Sequence, residues 1–223
     1  MPIYYPIDYN SFMDTFINKS QPIPDDFFKQ TLPMALFKSW YNEAIEHDAI
    51  DKPDAFCLST IGVDEMPEGR ILLLKTLDET TGDTFFSNSM SPKGQALIKN
   101  PKASMTFFWD QLGKQVRIQG AVKRATKDES DAYFRKRVRG SQIGAWVSEQ
   151  SETLESREKM ISQFKLLESE FEGREIPRPD NWVGYHLDPV KYEFWLNGEY
   201  RLHDRFQYLR VGDSQWDCRR VYP

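Results

Sequence analysis

The sequence predicts an antiparallel barrel with peripheral helices, mainly β in content and built as one domain. Three observations point there. Many short strand-like runs follow one another along the chain, each bounded by turn residues. Helical periodicities are spaced among them without the regular βαβ alternation that a doubly wound parallel sheet needs. The 223 residues, 39% hydrophobic and 14% aromatic, leave ample length for a real core.

Residues 1–30 are punctuated by proline and weakly periodic, reading as an arm with a short helix at 8–17. Residues 33–48 form an amphipathic pattern that sets Leu36, Trp40 and Ile45 roughly on one side of a helix. Strands are predicted at 54–61 and at 69–77, the second carrying Ile71-Leu72-Leu73-Leu74. A turn at Thr81-Gly82-Asp83 leads into a third strand at 84–88. Ser91-Pro92-Lys93-Gly94 reads as a helix start, with Ser as N-cap and Pro at the first helical position, and that helix ends near Asn100-Pro101. A strand at 103–109 follows. Val116, Ile118, Gly120 and Val122 then alternate along a half-buried strand at 114–125. Helices are predicted at 127–139 and 153–172, and strand pairs at 183–195 and 200–222 close the chain.

Between the last pairs, Asn197-Gly198 suits a two-residue type I′ hairpin, whose central residues both need φ > 0. On the strand beyond it, Arg201, His203 and Arg205 would share one face and Leu202, Asp204 and Phe206 the other. Two guanidiniums flanking a histidine suit an anion held beside a group that titrates near neutral pH.

Several functions are disfavoured. A net charge of −5 argues against nucleic acid as the main partner. No apolar run approaches the ~18–20 residues that span a bilayer, and the N-terminus lacks the pattern of a signal peptide. A cytoplasmic protein is the expectation. Cys57 and Cys218 form neither a disulfide framework nor a metal-ligand spacing, and His47, His186 and His203 are scattered. The chain contains no G-x-G-x-x-G after a strand, no P-loop, no H-E-x-x-H and no G-x-S-x-G. A basic run from Lys114 to Arg139 reads either as a solvated face or as a local site for a small phosphorylated ligand.

What remains is a set of cation- and amide-bearing segments. Arg70 and Lys75 stand at opposite ends of an apolar strand, five residues apart and so on opposite faces. Ser91-Pro92-Lys93 combines a helix N-terminus with an ammonium, a combination suited to phosphate. Gln115 opens the alternating strand. The stretch from Ser141 to Ser148, with Gln150 and Ser151, supplies uncharged donors for a heterocycle edge.

These segments together resemble the pyridoxamine 5′-phosphate oxidase family. The resemblance rests on Arg70 to Lys75, Ser91-x-Lys93, Gln115, Tyr133-x-x-x-Arg137-x-x-x-Ser141-Gln142-Ile143-Gly144-Ala145-Trp146, Gln150-Ser151, and Phe194-Trp195 through Arg201-Leu202-His203-Asp204-Arg205. It runs from about residue 54 to the C-terminus. It implies an FMN-binding split β-barrel over residues 51–223, with residues 1–50 an arm and helix packed on it, and a homodimer with FMN where the subunits meet. The reaction it implies oxidises pyridoxine or pyridoxamine 5′-phosphate to pyridoxal 5′-phosphate, with O2 as acceptor and H2O2 as product.

Carried over by position, the resemblance assigns Arg70, Lys93 and Ser87 to the FMN phosphate. Ile71, Leu74, Lys75, Phe86, Gln115, Gln150, Ser151, Trp195 and Arg205 would make the other cofactor contacts. Lys75, Tyr133, Arg137 and Ser141 would grip the substrate phosphate, while Arg201 and His203 face the pyridine ring and the reacting carbon. The chain departs from the family pattern in three places: Pro92 where an Arg is common, Phe86 where a Tyr is frequent, and no arginine in residues 1–30. A related oxidase acting on a phenazine precursor and a flavin-binding protein without turnover are the alternatives. The phosphate-gripping cluster disfavours the first, and the substrate face of Arg201 and His203 the second.

Overall fold

The computed structural model describes residues 25–78 and 82–223, so the helix expected at 8–17, most of the arm and Thr81 of the expected turn lie outside the described residues. The described strands are β1 Ala55–Ile61, β2 Pro67–Leu73, β3 Thr76–Asp78, β4 Gly82–Asn88, β5 Lys102–Trp109, β6 Lys114–Arg124, β7 Trp182–Leu196, β8 Asp204–Arg210 and β9 Trp216–Arg220. The helices are α1 Asp25–Gln30, α2 Pro33–Glu46, α3 Pro92–Lys99, α4 Lys127–Lys136, α5 Arg139–Val147 and α6 Arg157–Glu170.

Hydrogen bonding orders the strands β2-β1-β5-β6-β7-β4-β3, with β8 on β7 and β9 on β8. The β1–β2, β3–β4, β4–β7, β7–β8 and β8–β9 pairs are antiparallel. β2 and β3 lie at opposite ends of this path, yet only Leu74 and Lys75 separate them in sequence. Three Cα steps span at most about 11 Å, so the ends of the path come together and the sheet is a curled half-barrel. The strand expected at 69–77 is broken for that reason: it leaves β1 at Leu73, and the Lys75 N–H already donates to the Thr84 carbonyl of β4 (2.8 Å).

The described residues divide into two compact units, one of residues 25–54, 106–118 and 190–223, the other of residues 55–78, 82–105 and 119–189. In the first, α2 buries Leu36, Phe37, Trp40 and Ala44. Trp40 meets Phe194 edge-on at 5.2 Å and Phe37 meets Phe107 at 5.0 Å. Ile45, expected on the buried side, is 53% exposed; the apolar stripe continues through Ala44, one turn beyond Trp40.

In the second unit Phe85 packs between Phe56 and Tyr185, at 6.0 and 5.3 Å. Helix α4 opens with a capping box in which the Thr126 hydroxyl accepts from the Glu129 N–H and Glu129 accepts from the Thr126 N–H. The helix expected over 127–139 ends at Lys136, because Arg137 and Val138 are extended. A separate helix, α5, then begins. Gly140 and Gly144 hide it from propensity, and burial of Ile143 against Phe134 and Ile176 supports it. Gln142, expected among donors for a ligand edge, instead donates its amide to the Phe134 and Arg135 carbonyls at the end of α4. The helix expected at 153–172 is shorter, with Ser156 capping α6.

The terminal hairpin differs most from expectation. β7 extends to Leu196, β8 starts at Asp204, and these two residues pair, leaving residues 197–203 as the loop. The left-handed residues are Tyr200 (φ 54°) and Arg201 (φ 62°), whereas Gly198 is extended at φ −124°. Gly198 serves a close approach instead: a Cβ there would lie 2.1 Å from the Leu202 carbonyl oxygen. Arg201 and His203 therefore leave the strand, so the shared face expected for them and Arg205 does not form. The stretch expected at 200–222 is two strands, β8 and β9, joined by a turn in which Val211 N–H donates to the Gln215 carbonyl.

Candidate functional site

The second unit holds a cavity of about 450 Å³. Among the expected residues, Ile71 and Lys75 line it from the β2 end, Phe86 and Ser87 from β4, Tyr133 from α4, Arg137 from just past its end, Ser141 from α5, and Gln150 from the loop beyond. Leu74 is buried but does not line the cavity, and Ser151 is exposed with φ 76°.

Lys93, in the first turn of α3, is only 8% exposed. Its Nζ donates to the Ser91 Oγ (2.9 Å) and to the Gln150 Oε1 (2.6 Å), which ties it to the cavity wall. Ser91 sits at the N-cap position but makes no side-chain cap bond; its hydroxyl donates to the Asn88 carbonyl. Gly94 makes this corner possible, because a Cβ there would meet the Ser89 carbonyl oxygen at 2.3 Å. Burial, then the Arg70 charge, push the Lys93 pKa down to about 8, with Glu68 pulling weakly the other way. Arg70 is held by the Thr60 hydroxyl (2.7 Å), the Leu58 carbonyl and Glu68. Two cations are thus kept near one another.

At the other wall three rings stack in near-parallel planes: Tyr133 on Phe86 at 4.1 Å and 10°, and Phe86 on Trp182 at 5.0 Å and 7°. The Arg137 guanidinium lies over the Trp182 ring at 4.7 Å and the Phe134 ring at 5.6 Å. Its Nη1 is buried with no hydrogen-bond partner among the described residues, and burial lowers its pKa. The basic run around it otherwise resolves into separate contacts. Lys114 pairs with Glu43, Arg117 with Glu193, and Arg135 with Glu175, while Arg139 donates to carbonyls at the end of α6 and beyond.

The first unit carries the remaining expected residues. Trp195 and Arg205 are cross-strand partners and so share a face. Trp195 packs against the His203 ring at 4.6 Å. The Gly198 N–H donates to His203 Nδ1 (3.1 Å), so the neutral imidazole carries its proton on Nε2. Arg201 is exposed, and Gln115 is half-buried on β6. Arg205 donates through Nε and Nη2 to Glu193 Oε1 (3.3 and 2.9 Å) and through Nη1 to the Tyr222 carbonyl (2.7 Å). Burial works to raise the Glu193 pKa, but hydrogen bonds from Gln207 and Arg205 and the charges of Arg117 and Arg205 outweigh it, leaving the carboxylate below its ordinary range.

Sequence reading missed Trp182 and Glu193. Trp182 stands in no motif, and its role comes from meeting Phe86 and Arg137 across elements. Glu193 immediately precedes the Phe194-Trp195 segment, but its burial, only 3% exposed, is invisible before the strands pair. Among the described residues no group of His, Cys, Asp or Glu could hold a metal ion. No described helix is long and apolar enough to cross a membrane.

A curled antiparallel half-barrel with peripheral helices is the architecture of the FMN-binding split barrels. A pyridoxamine 5′-phosphate oxidase-related, FMN-binding protein from Nostoc punctiforme shares it with a TM-score of 0.69 at 15% identity, over 86% of this chain and 99% of that one. Residues 43–175 match the model of the pyridoxamine 5′-phosphate oxidase family, and residues 182–223 match that of the pyridoxine 5′-phosphate oxidase C-terminal dimerisation region. The chain belongs to the pyridoxamine 5′-phosphate oxidase family. It is 42% identical to a pyridoxine/pyridoxamine 5′-phosphate oxidase of Cyanothece sp., over 86% of this chain and 88% of the relative. It is 43% identical to one of Bradyrhizobium diazoefficiens, over 89% and 92%. PhzG from Burkholderia lata, solved with tetrahydrophenazine-1-carboxylic acid, superposes with a TM-score of 0.83 at 28% identity, over 92% of this chain and 99% of that one.

Proposed function

We propose that this chain is an FMN-dependent oxidase converting pyridoxamine 5′-phosphate or pyridoxine 5′-phosphate to pyridoxal 5′-phosphate. The observation that carries the reading is Arg137: a half-buried cation on the cavity wall, held by ring faces, whose Nη1 is buried and unpartnered among the described residues. A phosphate dianion supplies the missing acceptor. Lys75, Tyr133 and Ser141 line the same cavity and add an ammonium and two hydroxyls.

The residues assigned to FMN fit that group. Lys93 is a buried ammonium with neutral partners, destabilised by Arg70, so a phosphate there relieves both burial and like-charge repulsion. Ser87 and Gln150 add neutral donors. Ile71, Leu74, Phe86, Gln115, Ser151, Trp195 and Arg205 would make the remaining cofactor contacts. When bound, FMN supplies the two-electron acceptor that O2 regenerates, with release of H2O2.

The substrate loses two electrons and two protons at C4′. For the amine, water then replaces nitrogen, which leaves as ammonia. Arg201 and His203 orient the pyridine ring and its substituents, and the Nε2 proton of His203 is the one the imidazole can offer to a ring substituent. Positioning dominates, since no activated nucleophile is required. We assign the protein to the cytoplasm and place FMN at the interface of a homodimer, in accord with the matched dimerisation region.

The purified protein is expected to gain bound-flavin absorbance with FMN and, with pyridoxamine 5′-phosphate in air, to yield equal amounts of peroxide and aldehyde. No flavin binding would sink the reading at its first step. Flavin binding without turnover would move the substrate towards another ring system, the reading that the likeness to PhzG favours.

A further inference from the structure

Arg137 differs from Arg178 and Arg205, which are also half-buried, in how it is held. Arg178 donates to Asp131 and Arg205 to Glu193, so each has a formal counter-charge. Arg137 has ring faces instead, Trp182 at 4.7 Å and Phe134 at 5.6 Å. A π face holds a guanidinium in place and lowers its desolvation cost without neutralising it. A carboxylate in the same place would compete directly with an incoming dianion.

The Trp182 ring is itself fixed from several sides. Phe86 stacks on it at 5.0 Å and Phe134 meets it edge-on at 5.2 Å. Its backbone N–H donates to the Pro179 carbonyl (3.0 Å), and its carbonyl accepts from Arg178 Nη1 (2.6 Å). The same Arg178 donates through Nε to Asp131 of α4 (2.6 Å), the helix that carries Tyr133 and ends at Lys136, one residue before Arg137. Platform and cation therefore share one anchor.

We propose that Trp182 is a positioning residue for phosphorylated substrate: its indole face holds the Arg137 guanidinium on the cavity wall with no carboxylate partner among the described residues, available to the substrate's phosphate. This rests on the reading of Arg137 as a phosphate ligand. Trp182 acts through Arg137, and its effect belongs to ligands that carry a phosphate.

The test is calorimetric titration of the FMN-loaded enzyme with pyridoxal 5′-phosphate and, separately, with pyridoxal. Trp182→Leu is expected to weaken pyridoxal 5′-phosphate binding by about tenfold and Trp182→Phe by about threefold, with pyridoxal unaffected. In steady state the loss appears in KM with kcat retained. In an Arg137→Ala background, Trp182→Leu should have no further effect on the phosphorylated ligand. Unchanged affinity in Trp182→Leu, equal losses for both ligands, or an additive loss in the Arg137→Ala background would each overturn the proposal. Should Trp182→Leu fail to retain FMN, Trp182→Phe alone and with Arg137→Ala gives the same decision. Wild-type enzyme that binds no pyridoxal 5′-phosphate overturns the functional reading and this proposal together, whereas normal wild-type binding with an indifferent Trp182→Leu overturns the proposal alone.

Discussion

Lys93 is an ammonium that folding buries beside a second cation, and its pKa of about 8 records that cost. Two pH effects follow with opposite signs. A phosphate dianion favours the protonated amine, so apoprotein affinity for FMN should fall as pH rises from about 7 through 8, read by quenching of FMN fluorescence. Lys93→Met should bind more weakly and lose that pH dependence; a Lys93→Met profile identical in shape to wild type removes Lys93 from the phosphate site. Stability runs the other way. With the folded pKa below the unfolded one, the unfolded chain holds the extra proton between about pH 8 and 10.5. Apoprotein stability, relative to Lys93→Met, should therefore rise across that window in urea titrations. The position of Lys93 in a helix start was legible in the sequence, because Ser91-Pro92 is a local signal. Its neutral partner Gln150 and the ring-held guanidinium of Arg137 were not, since both depend on contacts between residues far apart in the chain.

Local signals served well at the scale of elements where a single neighbour decides the structure, and failed where pairing decides it. The capping box of α4 is local: Thr126→Ala should lower stability by about 1 kcal/mol, checked by chemical denaturation, with FMN still bound. The terminal hairpin is the counter-example. Asn197-Gly198 invited a two-residue turn, but the register joins Leu196 to Asp204 and leaves a seven-residue loop over 197–203. Two consecutive non-glycine residues in left-handed geometry, Tyr200 and Arg201, store of the order of 1 kcal/mol each. That loop presents Arg201 and His203, and Gly198 lets it fold tightly against the Leu202 carbonyl. Gly198→Ala forces the loop to shift, so kcat/KM should drop at least tenfold while FMN affinity changes little. A Gly198→Ala enzyme with wild-type kinetics would mean that loop geometry is not what positions Arg201 and His203.

The barrel class was legible at the scale of the whole molecule because it follows from many short strands without βαβ order, an average over the chain that no single misread turn disturbs. The interleaving of two units was not, since β5, β6 and β7 each pass from one to the other without any break in composition. Assembly is the remaining question at this scale. Ile71 lines the cavity yet is 66% exposed, on β2, which ends the sheet's hydrogen-bonding path. An exposed apolar side chain on a strand with no second neighbour among the described residues invites cover, and a second copy supplies it if FMN sits where subunits meet. Light scattering of the flavin-loaded protein should give about 52 kDa, twice the 26.2 kDa chain. Ile71→Asp sets a charge on that edge and should yield a folded monomer that has lost most of its affinity for FMN. The two losses must occur together for the interface placement to hold, because a monomer that keeps FMN at wild-type affinity would locate the cofactor within one subunit.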